Sequence, residues 1–356
     1  MKIGKHFFGS VIGAGLVTVA LSGGPVSAAA TSNIGISPVY PDNQITANGI
    51  FDLKVQPGQA ETLKLKIANL SHETQKLLSH ETQKLIVQPT TAYTNDAGTM
   101  ALDHVTVPKN KSRQVDFRRL VAKHDRKQVV TVPAGEITMV EMPIKVPGKA
   151  FDGIVVGGVL VKSDDQASPF AKKGVSVKNK FAYAMGVVLK ESDQTAVPKL
   201  TLGKIQPKIV GNDIKIKTVY KNNKPAIISD MTLHAKITNR QTGQVIGKTA
   251  DTGMSVAPNS AFNYANNWHG HKIKPGSYHY HATITAANGQ HWQLDKNFKV
   301  GVAGSFVMNQ HYNPWLSYVI IGILVLLLII MIAVIIYKRL KREQEKRFAR
   351  QLTKED

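Results

Sequence analysis

Residues 51–71 read FDLKVQPGQAETLKLKIANLS. Phe51, Leu53 and Val55 fall on one face of an extended chain. After the turn at Pro57-Gly58-Gln59, Leu63, Leu65 and Ile67 alternate with Lys64 and Lys66. A side-chain period of two, apolar against charged, predicts half-buried β-strands. The pattern recurs at Ile214, Ile216 and Thr218, and at Leu233, Ala235 and Ile237 against His234 and Lys236. It returns at Tyr278, Tyr280, Ala282 and Ile284. Turns rich in Pro, Gly and Asn (QPGQ, NDAG, KPGS, AANGQ) separate the runs, as in antiparallel sandwiches. No long amphipathic-helix pattern competes.

The two ends read differently. Lys2, Lys5 and His6, the apolar FFGSVIGAGLVTVAL and the small-residue VSAAA have the order of a secretion signal, residues 1–30, cut after Ala28 or Ala30. At the other end, Leu316 to Tyr337 are 22 residues without a charge. As a helix they extend roughly 33 Å, enough to cross a bilayer. The tail 338–356 carries eight Lys/Arg, whereas Ser305 to Trp315 carry none. The positive-inside rule then puts the tail in the cytoplasm and the bulk outside, a single-pass type I arrangement in the cell membrane.

The chain has 356 residues, 45 Lys plus Arg, 24 Asp plus Glu, and no cysteine. Of the formal charge of +21, two units belong to the signal and four to the tail, leaving about +15 on the exported part. Such a surface attracts polyanions. For an exported domain these are wall polymers, acidic glycans or lipid headgroups, not nucleic acid. Without cysteine there is no disulfide framework, no thiol nucleophile and no thiolate metal site. Two blocks emerge: 33–160, ending in FDGIVVGGVLV, and 165–303. A hairpin between GIVVGGVLV and FAYAMGVVL would extend the first block to Ser192. Residues 304–315 read as a spacer to the membrane. The predicted architecture is all-β, two Ig-like β-sandwich domains in tandem followed by one transmembrane α-helix.

The segments ISPVYPDNQI, GIFDLKVQPGQAETLKLKIANLS, TAYTNDAGTM and FDGIVVGGVLV resemble the first domain of the WxL-interacting proteins of Gram-positive bacteria. FAYAMGVVLKES, APNSAFNYANNW, IKPGSYHYHATITA and WQLDKNF resemble their second. The likeness runs in order across residues 33–303. It implies that the first domain binds peptidoglycan, that the second binds a host surface ligand, and that the chain acts with secreted WxL proteins in surface complexes. It transfers no numbered set of binding residues.

Leu70 to Leu85 hold LSHETQKL twice without a change. This reads as a tandem insertion at the tip of a hairpin; zinc would need more ligands than His72 and His80. The late histidines are the main chemical candidates: His269 and His271 in WHGH, and His279 and His281 in YHYH. An HxH pair on a strand shares one face, and two pairs on neighbouring strands would form a metal site. Alternatively, His279 and His281 are the solvent face opposite Tyr278 and Tyr280. WQL at Trp292 to Leu294 reads as core packing. GIVVGGV lacks phosphate-loop spacing, so its glycines are read as a bulge or a close backbone approach. Tyr264, Trp268 and Tyr312 are candidates for sugar stacking or core packing. No hydrolase motif appears. The expectation is a non-enzymatic membrane-anchored scaffold or adhesin without cofactor. Its expected partners are peptidoglycan, anionic wall polymers, WxL-domain proteins and host ligands. The alternatives are an assembly factor capturing strands of secreted proteins, an unrecognised wall hydrolase, and a metal receptor.

Overall fold

The computed structural model describes residues 34–70, 82–164, 181–270, 272–310 and 315–352. The signal segment 1–30, most of the LSHETQKL repeat, His271 and Tyr312 lie outside the described residues. The first sandwich comprises β1 (Ile34–Val39), β2 (Phe51–Lys54), β3 (Ala60–Asn69), β4 (Gln83–Thr91), a ribbon of β5 (Tyr93–Thr94) and β6 (Met100–Ala101), the short helix α1 (Phe117–Leu120), β7 (Gln128–Val132), β8 (Ile137–Lys145), β9 (Ile154–Ser163) and β10 (Ala182–Lys190). One sheet has the order β1-β3-β8, the other β2-β10-β9-β4-β7. All pairs are antiparallel except β2 with β10, which run parallel. The second sandwich follows with β11 (Leu200–Val210), β12 (Asp213–Asn222), β13 (Ile228–Asn239), β14 (Val245–Val256), β15 (Ser260–Asn267), β16 (Gly276–Thr285) and β17 (His291–Val300). Its sheets are β11-β12-β15 and β14-β13-β16-β17.

The alternation in sequence becomes inside and outside. Leu63, Leu65 and Ile67 are fully buried with Phe51 and Leu53, while Lys64 and Lys66 are exposed. The central strand β9 does not alternate because both its faces are covered. Val155, Val159 and Val161 face the intersheet core, and Val156 belongs to a separate cluster on the other side. Gly157 leaves room for Phe117: a Cβ there would meet that side chain at 2.2 Å. In the second sandwich Tyr220 and Tyr280 share a 2.6 Å hydroxyl contact in the core. Tyr280 also donates to Asn266 Oδ1 at 2.9 Å, so neither buried hydroxyl lacks a partner. Trp292 and Leu294 pack on this core from β17, so WQL serves packing.

β3 and β4 lie in different sheets. The strands flanking the repeat are therefore not hairpin partners, and the hairpin-tip reading is corrected. The second copy also supplies Gln83, Lys84 and the fully buried Leu85 to β4. Within 304–315, the structure places part of α2 (Val302–Gln310), a helix docked on the second sandwich. There Asn309 accepts from the Ile273 N–H at 2.8 Å and donates to its carbonyl at 3.0 Å. Ser305 is buried, and Met308 packs on the core. α3 (Trp315–Leu352) follows. Its stretch Tyr318–Glu345 is long and apolar enough to cross a membrane and is nowhere buried against the protein. It fits a single transmembrane helix.

The sandwiches are joined along a seam. The NDAG turn, closed by the Asn95 side chain on the N–H groups of Ala97 and Thr99, carries the β5–β6 ribbon onto β14 and β15. Thr94 N–H donates to Ser260 Oγ and the Thr94 hydroxyl accepts from Ala257 N–H, both at 2.9 Å and buried. Ser255 Oγ accepts from Met100 N–H at 2.9 Å, and Ser255 N–H donates to the Gly98 carbonyl at 2.8 Å. Asp96 meets Lys217 at 2.9 Å, and Ile154 N–H donates to the Pro225 carbonyl at 2.9 Å. Ala92, Val156 and Ala257 fill the centre, with Met100, Leu102, Ile154, Val188 and Ile227 around them.

Two outcomes are expected. Deleting one LSHETQKL copy leaves LSHET between β3 and β4. Five extended residues reach about 17 Å, more than the ~10 Å between packed sheets. Closure entropy changes by only about 1 kcal/mol. Urea unfolding should therefore show stability equal to or slightly above the parent's; a loss beyond about 2 kcal/mol would assign the repeat a structural role. Thr94→Val leaves the Ala257 N–H without its buried acceptor, at about 1–3 kcal/mol. Calorimetry should show one unfolding transition for the parent and a separated or broadened pair for Thr94→Val with Ser255→Ala.

Candidate functional site

Between Lys109 and Lys127 the chain holds eight Lys/Arg against two Asp. The run belongs to the long excursion from β6 to β7, which the structure fixes at several points. Asn110 Oδ1 accepts from Ser112 N–H and Oγ, both at 3.0 Å, closing a local turn. Its amide donates to the Asn259 carbonyl at 2.8 Å, reaching the second sandwich. Asn259 itself sits at φ +48°, a left-handed conformation that Asn tolerates better than most residues. Farther on, Phe117, Leu120 and Val121 are buried. Thr91 Oγ1 donates to Asp116 and accepts from Arg118 N–H, the latter at 3.0 Å.

The excursion so held forms one wall of a cleft between the sandwiches. A cavity of about 540 Å³ is lined by Tyr93, Lys109, Lys111, Arg113 and Lys221, with Asn223 and Ser260 at its second-sandwich side. An adjoining cavity of about 370 Å³ shares Ser112, Arg113 and Asn223 and is bounded by Phe151, Lys224, Pro225 and Asn259. Among the described residues Asp152 is the one carboxylate on either lining, against Lys109, Lys111, Arg113, Lys221 and Lys224. Burial lowers the Arg113 pKa from its ordinary value and Asp116 opposes the shift; an arginine so placed stays cationic at neutral pH. At the rim, Tyr93 donates to Asp103 at 2.8 Å beside His104. Burial pushes the Asp103 carboxyl up, but the hydrogen bonds from His104 and Tyr93 outweigh it and hold it below the usual range. The chemistry on offer is recognition of an anion by several cations and amide donors. The signal in the sequence was the local basic run. Its placement needed the fold, because Lys221 lies a full domain away.

The histidine candidates separate. His279 and His281 stand on the solvent face of β16, opposite the buried Tyr278 and Tyr280. Cross-strand pairing brings Asp295 of β17 beside His281. His279 Nε2 and His281 Nδ1 meet the same Asp295 oxygen at 3.0 and 2.8 Å. These three residues could hold a cation. His269 follows β15, whose sheet partner is β12, and its N–H donates to the Ile246 carbonyl; it does not join the pair. His271 lies outside the described residues. Of the aromatic candidates, Tyr264 is buried in the second core. Trp268 packs on that core, edge-on to Tyr278 at 5.3 Å.

A family model described as the WxL Interacting Protein peptidoglycan binding domain matches residues 35–163. A second, the WxL Interacting Protein host binding domain, matches 172–310. The second match includes β10, a strand of the first sandwich, so the division between the two models falls inside one folded sheet. No curated protein matches the chain. Among solved structures, the class 5 fimbriae chaperone CfaA aligns at 14% identity, covering 76% of this chain and 100% of its own, with a TM-score of 0.29. The Pseudomonas aeruginosa CupB2 chaperone aligns at 11%, covering 67% and 91%, TM-score 0.23. The E. coli chaperone DraB aligns at 10%, covering 69% and 97%, TM-score 0.24. At these TM-scores the likeness carries no conclusion about activity. The two domain matches stand in order and together span most of the chain, which belongs to the WxL Interacting Protein family.

Proposed function

We propose that this cell-surface protein is a non-enzymatic scaffold, anchored by α3 with the C-terminus in the cytoplasm. The first sandwich contacts peptidoglycan, and the second presents a surface to a host ligand or a WxL-domain protein. The observation that carries this reading is the ordered pair of binding-domain matches on two sandwiches that share a buried seam. Anchor, wall contact and partner contact on one body make the later contacts effectively intramolecular. Weak sites then suffice, because tethering raises local concentration. The basic cleft adds attraction to anionic wall polymers. That part of the affinity is salt-sensitive, since the Debye length is about 8 Å at physiological ionic strength.

Full-length protein in detergent micelles is to be co-sedimented with peptidoglycan bearing or stripped of its anionic polymers, across a salt series. Retention on stripped peptidoglycan at high salt is the expected result for the first sandwich. Lys109→Glu with Lys111→Glu and Lys221→Glu should weaken binding to polymer-bearing walls about tenfold at low salt, because each substitution replaces attraction by repulsion. Binding to stripped walls should not change. Loss of all binding once the polymers are removed would contradict a specific wall contact.

A further inference from the structure

The outer face of the sheet β14-β13-β16-β17 brings two imidazoles onto one carboxylate oxygen. His279 Nδ1 lies 2.9 Å from Asn297 Oδ1 and its Nε2 lies 3.0 Å from Asp295 Oδ1. Both neighbours are acceptors, whereas a neutral histidine has one N–H to give. With that proton on Nδ1, the Nε2 lone pair points at a carboxylate. His281 brings Nδ1 to the same Asp295 oxygen at 2.8 Å, and its Nε2 is turned to Thr283 Oγ1 at 3.4 Å. Each ring thus turns one nitrogen to a polar side-chain oxygen and the other to one carboxylate. Metal-binding histidines show this division between an orienting partner and a ligand.

We propose that His279 Nε2, His281 Nδ1 and the Asp295 carboxylate form a site for a zinc-class divalent cation. Their ligand atoms lie within 4.8 Å of one another. A tetrahedral ion with bonds of about 2.0 Å needs ligands about 3.3 Å apart. The two imidazole–carboxylate separations of 2.8 and 3.0 Å need a small opening, and the imidazole nitrogens lie within 4.8 Å of each other. Two imidazoles and one carboxylate favour zinc, copper or nickel over calcium or magnesium, which take mostly oxygen ligands. Three protein ligands leave a tetrahedral position for water or for a carboxylate of a bound partner. Cross-strand pairing holds the ligands: Asp295 is directly opposite His281, and Asn297 opposite His279.

Other groups face the cluster. Lys236 of β13 pairs with His281, and His234 of the same strand pairs with Thr283. Lys299 lies two residues from Asn297 on its face of β17, and Lys248 of β14 pairs with Lys236. The lysines oppose a dication and moderate the affinity.

The test is a zinc titration by calorimetry of the untagged full-length protein in detergent micelles, with magnesium and calcium as controls. One saturable zinc site is expected, with no response to magnesium or calcium. His279→Ala, His281→Ala and Asp295→Asn should each weaken zinc binding tenfold or more. Asn297→Ala, which removes an orienting partner, should weaken it less. His234→Ala and His291→Ala on the same sheet should leave it unchanged. Cobalt in place of zinc should give a visible absorption band that His281→Ala abolishes. All these side chains are part-exposed or exposed, and circular dichroism of each variant checks that it folds. Absence of saturable zinc binding would overturn the assignment. So would equal losses in the His234 and His291 variants, which would mean diffuse histidine binding.

Discussion

The Thr94 hydroxyl and N–H, bonded across the seam to Ala257 and Ser260, are the contact on which the arrangement of the two sandwiches depends. Both bonds are buried, so breaking either leaves a polar group without water to replace its partner. Hydrogen bonds of this kind tolerate little displacement, whereas an apolar patch alone would let the sandwiches slide. The seam also closes the second face of β9 and β10, which would otherwise present Ile154, Val156 and Val188 to solvent from the five-stranded sheet. The first sandwich therefore uses the second to finish its own burial. The relation resembles a core divided between two units more than a linker between independent ones.

From that constraint follows the geometry of the cleft. The basic excursion is pinned to the first core by Phe117 and to the second sandwich by Asn110, and Lys221 approaches from β12. Five cations around adjoining cavities would repel one another in a flexible pair of domains; here the seam holds them together. The charge excess of the chain thus has a place where it acts at short range, in addition to the diffuse attraction of a basic surface. At the far end, α2 is held to the second sandwich through Asn309 and Met308.

Much of this was legible in the sequence, for physical reasons that differ by element. Strands such as β3 and β16 declare themselves because one face is wet and the other dry, so a period of two survives in the residues. β9 does not, because both faces are covered. The antiparallel pairing of β10 with β9 is the hairpin that GIVVGGVLV and FAYAMGVVL offered in the sequence, whereas the parallel pairing of β10 with β2 depends on long-range contacts that no local pattern encodes. TAYTNDAGTM was readable as a turn between extended pieces, yet its role as the seam was not, since its partners Ser255, Ala257 and Ser260 lie far along the chain. The hairpin expected at the repeat failed for a related reason: adjacency in sequence favours pairing, but here the chain crosses between sheets. His279 and His281 were recognisable as a pair on one face. Asp295 joined them only through the register of β16 with β17, and His269 was excluded only by the sheet to which β15 belongs.

The central claim is that the two sandwiches and the cleft between them form one rigid body. The chain has no native cysteine, so two introduced ones can carry spin labels without background. Ile137→Cys on β8 and Val245→Cys on β14 are exposed sites on the two sandwiches. A pulsed electron–electron distance measurement on that pair should give one narrow distribution, which broadens when Thr94→Val and Ser260→Ala are added. A broad distribution in the otherwise unaltered protein would contradict the account.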